Sequence, residues 1–117
     1  MIAVIFESEM RPGQRQVYLD AAATLRAQLN DVPGFISIER FESLTNPGKL
    51  LSLSFWHDEL SVKLWRNLEA HRAIQSAGRE RIFSDYRLRV ATVLRDYGMT
   101  HREQAPDDSR AAHDSPA

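Results

Sequence analysis

The sequence predicts a single α+β domain of βαββαβ order, and three observations carry that prediction. Apolar residues recur with a period near two in some segments and near 3.6 in others, which separates strands from amphipathic helices. Three Pro-Gly pairs, Pro12-Gly13, Pro33-Gly34 and Pro47-Gly48, punctuate the chain between segments, because Pro presets φ and Gly accepts positive φ in a turn. Finally, 117 residues with 43% hydrophobic and 26% charged side chains suit one domain with a real core.

The elements follow in order. Residues 2–9, with Ile2, Val4, Ile5 and Phe6, read as a first strand. From about Gln14 to Asn30, Tyr18, Ala22, Leu25 and Leu29 fall on one stripe of an amphipathic helix. Residues 35–43 and 49–56 are two strands joined by the hairpin loop Thr45-Asn46-Pro47-Gly48. Asp58 sits where an N-cap belongs, and a second helix is expected from Glu59 to about Ala77, interrupted by Gly78. A short helical turn over 79–85 and a long last strand over 86–96 complete the order. The domain thus spans 1–99, and residues 100–117, without periodicity and poor in large apolar residues, are expected to form a disordered tail. This order is the ferredoxin-like one, an antiparallel sheet with both helices on one face.

Two helices can shield only one side of such a sheet, and a solvated side should be polar. Yet Phe35 and Phe41 oppose Ile36 and Ile38, Leu50 and Trp56 oppose Leu51, Leu53 and Phe55, and Ala91 and Val93 oppose Leu88, Val90 and Leu94. Phe35, Phe41 and Trp56 are expected on the helix-free face, which predicts that a second copy covers it as a two-fold homodimer.

Composition excludes several classes. A net charge of −1 with both signs interspersed does not suit general nucleic-acid binding, which needs a basic patch. The absence of cysteine excludes disulfides, zinc–thiolate and iron–sulfur sites and cysteine nucleophiles. No apolar run is long enough to span a membrane, and the start lacks the basic, apolar pattern of a secretory signal. A cytoplasmic protein is expected. No P-loop, GxGxxG or HExxH motif occurs.

The second helix carries the candidate chemistry. Leu60, Leu64, Leu68 and His71 fall within one arc, with Asn67 and Gln75 beside it and Trp65 at its edge. A histidine and two amides among leucines outline a polar-spotted pocket between helix and sheet. His71 could act as a base or ligand there, or be a core histidine bonded to a strand. His57 reads as a solvated turn residue. Glu7 and Glu9 read as edge or rim charges, and Arg87, Arg89 and Arg95, on one face of the last strand, either bind an anionic substrate or pair with Glu39 or with a partner's carboxylates.

At this point the chain resembles the antibiotic biosynthesis monooxygenase (ABM) family. The resemblance covers residues 1–98 and rests on Pro12-Gly13, Val32-Pro33-Gly34-Phe35, Leu53-Ser54-Phe55-Trp56, Trp65, His71 and the closing Arg95-Asp96-Tyr97-Gly98. It implies a dimeric α/β-barrel of ferredoxin-like subunits. It also implies oxygenation of a small aromatic or quinol-type molecule by O2 with no metal, flavin or other cofactor. Catalytic roles then fall to His71, Trp65 and Asn67, and substrate binding to Phe6, Phe55, Leu68 and Gln75. The same fold carries heme-degrading oxygenases built on an Asn, a Trp and a His. Trp65 follows Trp56 by nine residues as that pattern has it, but the Asn position is Phe6 and His71 follows Trp65 by only six. Heme binding or degradation is therefore the alternative, beside a ligand-binding module without turnover.

Overall fold

A computed structural model describes residues 1–114; residues 115–117, the end of the expected tail, lie outside the described residues. The elements are β1 (Ile2–Met10), α1 (Arg15–Leu29), β2 (Phe35–Glu42), β3 (Lys49–Trp56), α2 (Glu59–Arg66), α3 (Glu69–Ala77), β4 (Phe83–Thr92) and α4 (Asp107–His113). One wide helical turn, Gly78–Ile82, links α3 to β4. The strands form one sheet in the order β2-β3-β1-β4, every neighbouring pair antiparallel, which is the ferredoxin-like topology.

The hydrophobic stripe of α1 is buried as its spacing predicts: Tyr18, Ala22, Leu25 and Leu29 all face the sheet. Leu29 packs with Val32, Trp56 and Val62, and Tyr18 packs with Leu50 and Ile82. Strand β3 alternates strictly, with Leu50, Ser52, Ser54 and Trp56 buried and Leu51, Leu53 and Phe55 only partly covered. This corrects the expected faces. Trp56 lies under the helices as the most buried large side chain, its Nε1 donating to Ser54 Oγ at 2.9 Å. Phe35 packs edge-on against it, at 5.2 Å between ring centres. The helix-free face carries Phe41, as expected, together with Ile5, Leu51, Leu53 and Phe55, aligned by register across β1, β3 and β2.

A second correction concerns α2. Its leucine stripe points outward: Leu60, Leu64 and Leu68 are 63%, 48% and 39% exposed, whereas Ser61 and Val62 are buried. The cause is local. Asp58 accepts hydrogen bonds from both Ser61 N and Ser61 Oγ at 2.8 Å, capping the helix. Ser61 in turn sits against Gly34, whose positive φ (85°) sets the turn into β2 and where a Cβ would lie 1.9 Å from Ser61 Oγ. These contacts fix the rotation of α2 with Ser61 inward.

The helix also divides. At Leu68 the ladder tightens to an i→i−3 bond, Leu68 N to Trp65 O (3.2 Å), and Asn67 Nδ2 donates to Lys63 O (2.9 Å). Such competition from an Asn side chain disfavours a helix interior. Strand β4 begins at Phe83, earlier than expected, and ends at Thr92. Phe83 and Tyr86 both pack on Phe6, each with ring centres 5.6 Å from it, holding this stretch extended. Gly48, unlike Gly13 and Gly34, does not take positive φ.

The expected tail is also corrected over its described part, because α4 occupies 107–113. Arg102 organises it, donating to Gly98 O (3.0 Å), Ser109 Oγ (2.6 Å) and Asp114 (2.8 Å) and lying over the Tyr97 ring. Polar side-chain bonds rather than an apolar stripe hold this turn, so periodicity does not reveal it.

Candidate functional site

Between sheet and helices lies a cavity of about 430 Å3, within the size range of small-molecule sites. Its floor is the helix-side face of the sheet. Register aligns Arg40, Ser52, Phe6 and Leu88 in one row across all four strands, and Ile38, Ser54, Val4 and Val90 in the next. Tyr18 and Leu25 of α1 form one wall, and Trp65, His71 and Gln75 of α2 and α3 form another. Leu88 and Val90 are half-exposed, so the cavity opens along β4. The lining is mostly apolar, interrupted by hydroxyls and guanidinium groups.

His71 is the distinctive group. The break at Asn67 and Leu68 turns α3 so that His71 faces the cavity although the leucine stripe faces away. Its ring stacks on Trp65, with centres 4.7 Å apart and planes 26° apart. Its Nδ1 is buried and has no hydrogen-bond partner among the described residues. Burial lowers the imidazole pKa below its ordinary value, and the neighbouring Arg72 charge adds to that. The main-chain carbonyls of Arg66 and Trp65 pull the other way without reversing it, and neither meets hydrogen-bond geometry with Nδ1. A neutral imidazole near pH 7 follows, as a base requires.

Of the residues predicted from sequence, the cavity brings together Phe6, Trp65, His71 and Gln75. Phe55 does not join them, because the strict alternation of β3 puts it on the opposite face. Asn67 and Leu68 do not line the cavity either. Asn67 Oδ1 accepts from Arg72 at 2.6 Å, so it holds a cavity side chain in place. Sequence reasoning missed Arg40, Arg66, Arg72 and Arg79, which all line the cavity. One signal was available: Arg40 shares a strand face with Ile38, and Ser52 and Ser54 share one with Leu50 and Trp56. These are polar residues on a face that the core claims.

The chain thus has a ferredoxin-like fold with a cavity between sheet and helices. It belongs to the antibiotic biosynthesis monooxygenase family, whose model matches residues 1–77. The chain is 46% identical over 93 residues to the jasmonate monooxygenase ABM of Pyricularia oryzae, covering 80% of this chain and 43% of that protein. The chain therefore spans less than half the length of that relative. Among solved structures, Rv0793 from Mycobacterium tuberculosis superposes with a TM-score of 0.73 at 16% identity, covering 83% of this chain and 98% of that one. An antibiotic biosynthesis monooxygenase structure superposes with a TM-score of 0.69 at 15% identity, covering 80% and 99%. These likenesses extend the fold to proteins of very different sequence. Among the described residues no helix is long and apolar enough to cross a membrane.

Proposed function

We propose that the chain is a monooxygenase that oxidises a small phenolic or quinol-type molecule in the cavity, with His71 as the base and no metal or flavin taking part. The observation that carries this reading is His71 itself, held neutral by burial, stacked on Trp65 and facing an apolar cavity. A relative named jasmonate monooxygenase ABM supports the monooxygenase part of this reading.

The step balances without an outside reductant. His71 takes the substrate's hydroxyl proton, and the resulting anion gives an electron to O2. Recombination forms a C–O bond to the ring, and the imidazolium protonates the peroxide. His71 then removes the ring C–H proton as the O–O bond breaks. The carbon becomes a carbonyl, and the departing hydroxide takes the proton back from His71 and leaves as water. One oxygen atom enters the product, one becomes water, and all four electrons come from the substrate. Trp65 orients the imidazole by stacking, and the apolar walls keep water from the anion.

In the same reading a second copy of the chain covers Ile5, Leu51, Leu53 and Phe55 on the helix-free face. Oxygen uptake with a panel of naphthols and hydroquinones, using chelator-treated wild-type protein and His71→Ala, tests the chemistry. The loss expected on removing a general base is about 10²–10⁴-fold. Equal rates in the two proteins would remove His71 from the mechanism. A Soret band on adding heme, shifted in the same variant, would favour the heme reading instead.

A further inference from the structure

The geometry points to Arg40 as the anchor for a carboxylate on the substrate, which makes that substrate an organic acid with a compact apolar body. This rests on the reading of the cavity as the substrate site.

Arg40 stands on β2 in the floor row with Ser52, Phe6 and Leu88. Its guanidinium lies 5.9 Å from the centre of the Tyr18 ring, a cation–π placement that fixes the group without neutralising it. Its Nε is buried and has no hydrogen-bond partner among the described residues. Buried donors of this kind are rare in folded proteins, and a charged one is costly to leave unpaired.

The other cavity cations whose partners are defined are already engaged. Arg72 donates to Asn67 at 2.6 Å and Gln75 at 3.5 Å, and Arg79 donates to the Tyr86 hydroxyl. The acid nearest along the same strand face, Glu42, is held by Arg15 at 3.0 Å. Among the described residues no Asp or Glu lines the cavity, and none of its four arginines forms an ion pair.

An arginine presents Nε and one Nη along a single edge, and that edge matches the two oxygens of a carboxylate. Nε has no partner among the described residues, and a carboxylate reaching that edge would satisfy it. The surrounding walls of Val4, Phe6, Leu25 and Ile38 are apolar, so the remainder of the ligand is hydrocarbon or aromatic. One charged fork in an apolar cavity fits a monocarboxylate better than a phosphate, whose extra charge and oxygens would lack donors there.

The test uses 6-hydroxy-2-naphthoic acid and its methyl ester, with binding followed by naphthol fluorescence at neutral pH. Wild-type protein is expected to bind the acid roughly tenfold or more tightly than the ester. Arg40→Met should abolish that preference, and Arg40→Lys, which keeps the charge and loses the fork, should retain part of it. Arg89→Gln, which removes a cation on the opposite face of the sheet, should leave the preference intact. Circular dichroism confirms that each variant is folded.

Equal affinity of acid and ester for wild type, a preference that survives in Arg40→Met, or no binding of either probe overturns the assignment. Oxygen uptake with neutral 2-naphthol separates the two readings. Uptake that depends on His71 but not on Arg40 leaves the oxygenase reading standing even if charge recognition fails.

Discussion

The two faces of the sheet treat charge in opposite ways. On the helix-free face Glu7 sits between Lys49 (3.2 Å) and Arg89 (3.4 Å). The hydrogen bond from Lys49, followed by the Arg89 contact, holds its carboxyl below the ordinary carboxylate range. Glu7 is thus paired within the face, and apolar residues stand beside it. On the cavity face Arg40, Arg66, Arg72 and Arg79 converge without a carboxylate among the described lining residues. A largely apolar surface suits contact with another surface, whereas cations around a cavity without a carboxylate suit a ligand that brings its own charge. One four-stranded sheet thus presents an open apolar face and a cavity-lining face back to back.

The strongest test of that division uses neighbours in sequence. Trp56 and Phe55 are consecutive, yet Trp56 is 1% exposed beneath the helices and Phe55 lies on the open face. Trp56→Ala should cost about 3–5 kcal/mol in urea unfolding, because it leaves a cavity and strands the Ser54 hydroxyl. Phe55→Ala should instead leave the subunit's unfolding little changed and weaken self-association in sedimentation equilibrium. If both variants lose the same stability, or if Phe55→Ala sediments like the wild type, the two faces do not differ in the way described.

How much of this could be read from the chain depends on which interactions set each feature. Strand and helix order came through because β1, α1, β2 and β3 follow apolar period and Pro-Gly punctuation, both local properties. The side of the sheet that Trp56 occupies did not, since alternation in β3 shows that Leu50 and Trp56 share a face but not which face the helices choose. The orientation of α2 was misread for a similar reason. Leucine count favoured Leu60, Leu64 and Leu68 as the core stripe, while a contact distant in sequence, Gly34 against Ser61, sets the rotation. His71 was placed in the cavity correctly through an incorrect route. A continuous helix would have carried it with the outward leucines, and only the break at Asn67 brings it in. Arg40 was overlooked because an arginine in a strand is ordinary until its partners are known to be missing.

The Gly34–Ser61 contact gives a second test, smaller than the first. Gly34→Ala would place Cβ 1.9 Å from Ser61 Oγ and 2.8 Å from Ser61 Cβ, at a φ of 85°. Backbone strain together with overpacking should cost roughly 2–4 kcal/mol. Because the contact orients α2, the damage should reach the cavity face and spare the other. Naphthol binding should weaken more than self-association does. Adding Ser61→Ala to Gly34→Ala removes Oγ but leaves Cβ, so it should restore only part of the stability. Full restoration would mean that the hydroxyl alone opposes the new methyl group.

The smallest expected effect lies in pH dependence and isolates His71 within the cavity face. Its pKa in the folded protein is below the ordinary 6.5, chiefly through burial and then through Arg72. Only the neutral ring can take a proton, so oxygenation should rise with pH through that depressed pKa, on the acid side of the ordinary imidazole value. For folding, the direction is the same. As pH falls from the unfolded value toward the folded one, the unfolded chain gains its proton first, so stability drops across that window and is regained above it. Arg72→Gln removes the secondary cause and leaves the main one. The His71 titration, followed by NMR and assigned through its loss in His71→Gln, should therefore move upward yet stay below the ordinary value. A wild-type titration at or above 6.5 would mean that water reaches the ring freely, and the cavity face would then lack the dry base on which the oxygenase chemistry rests.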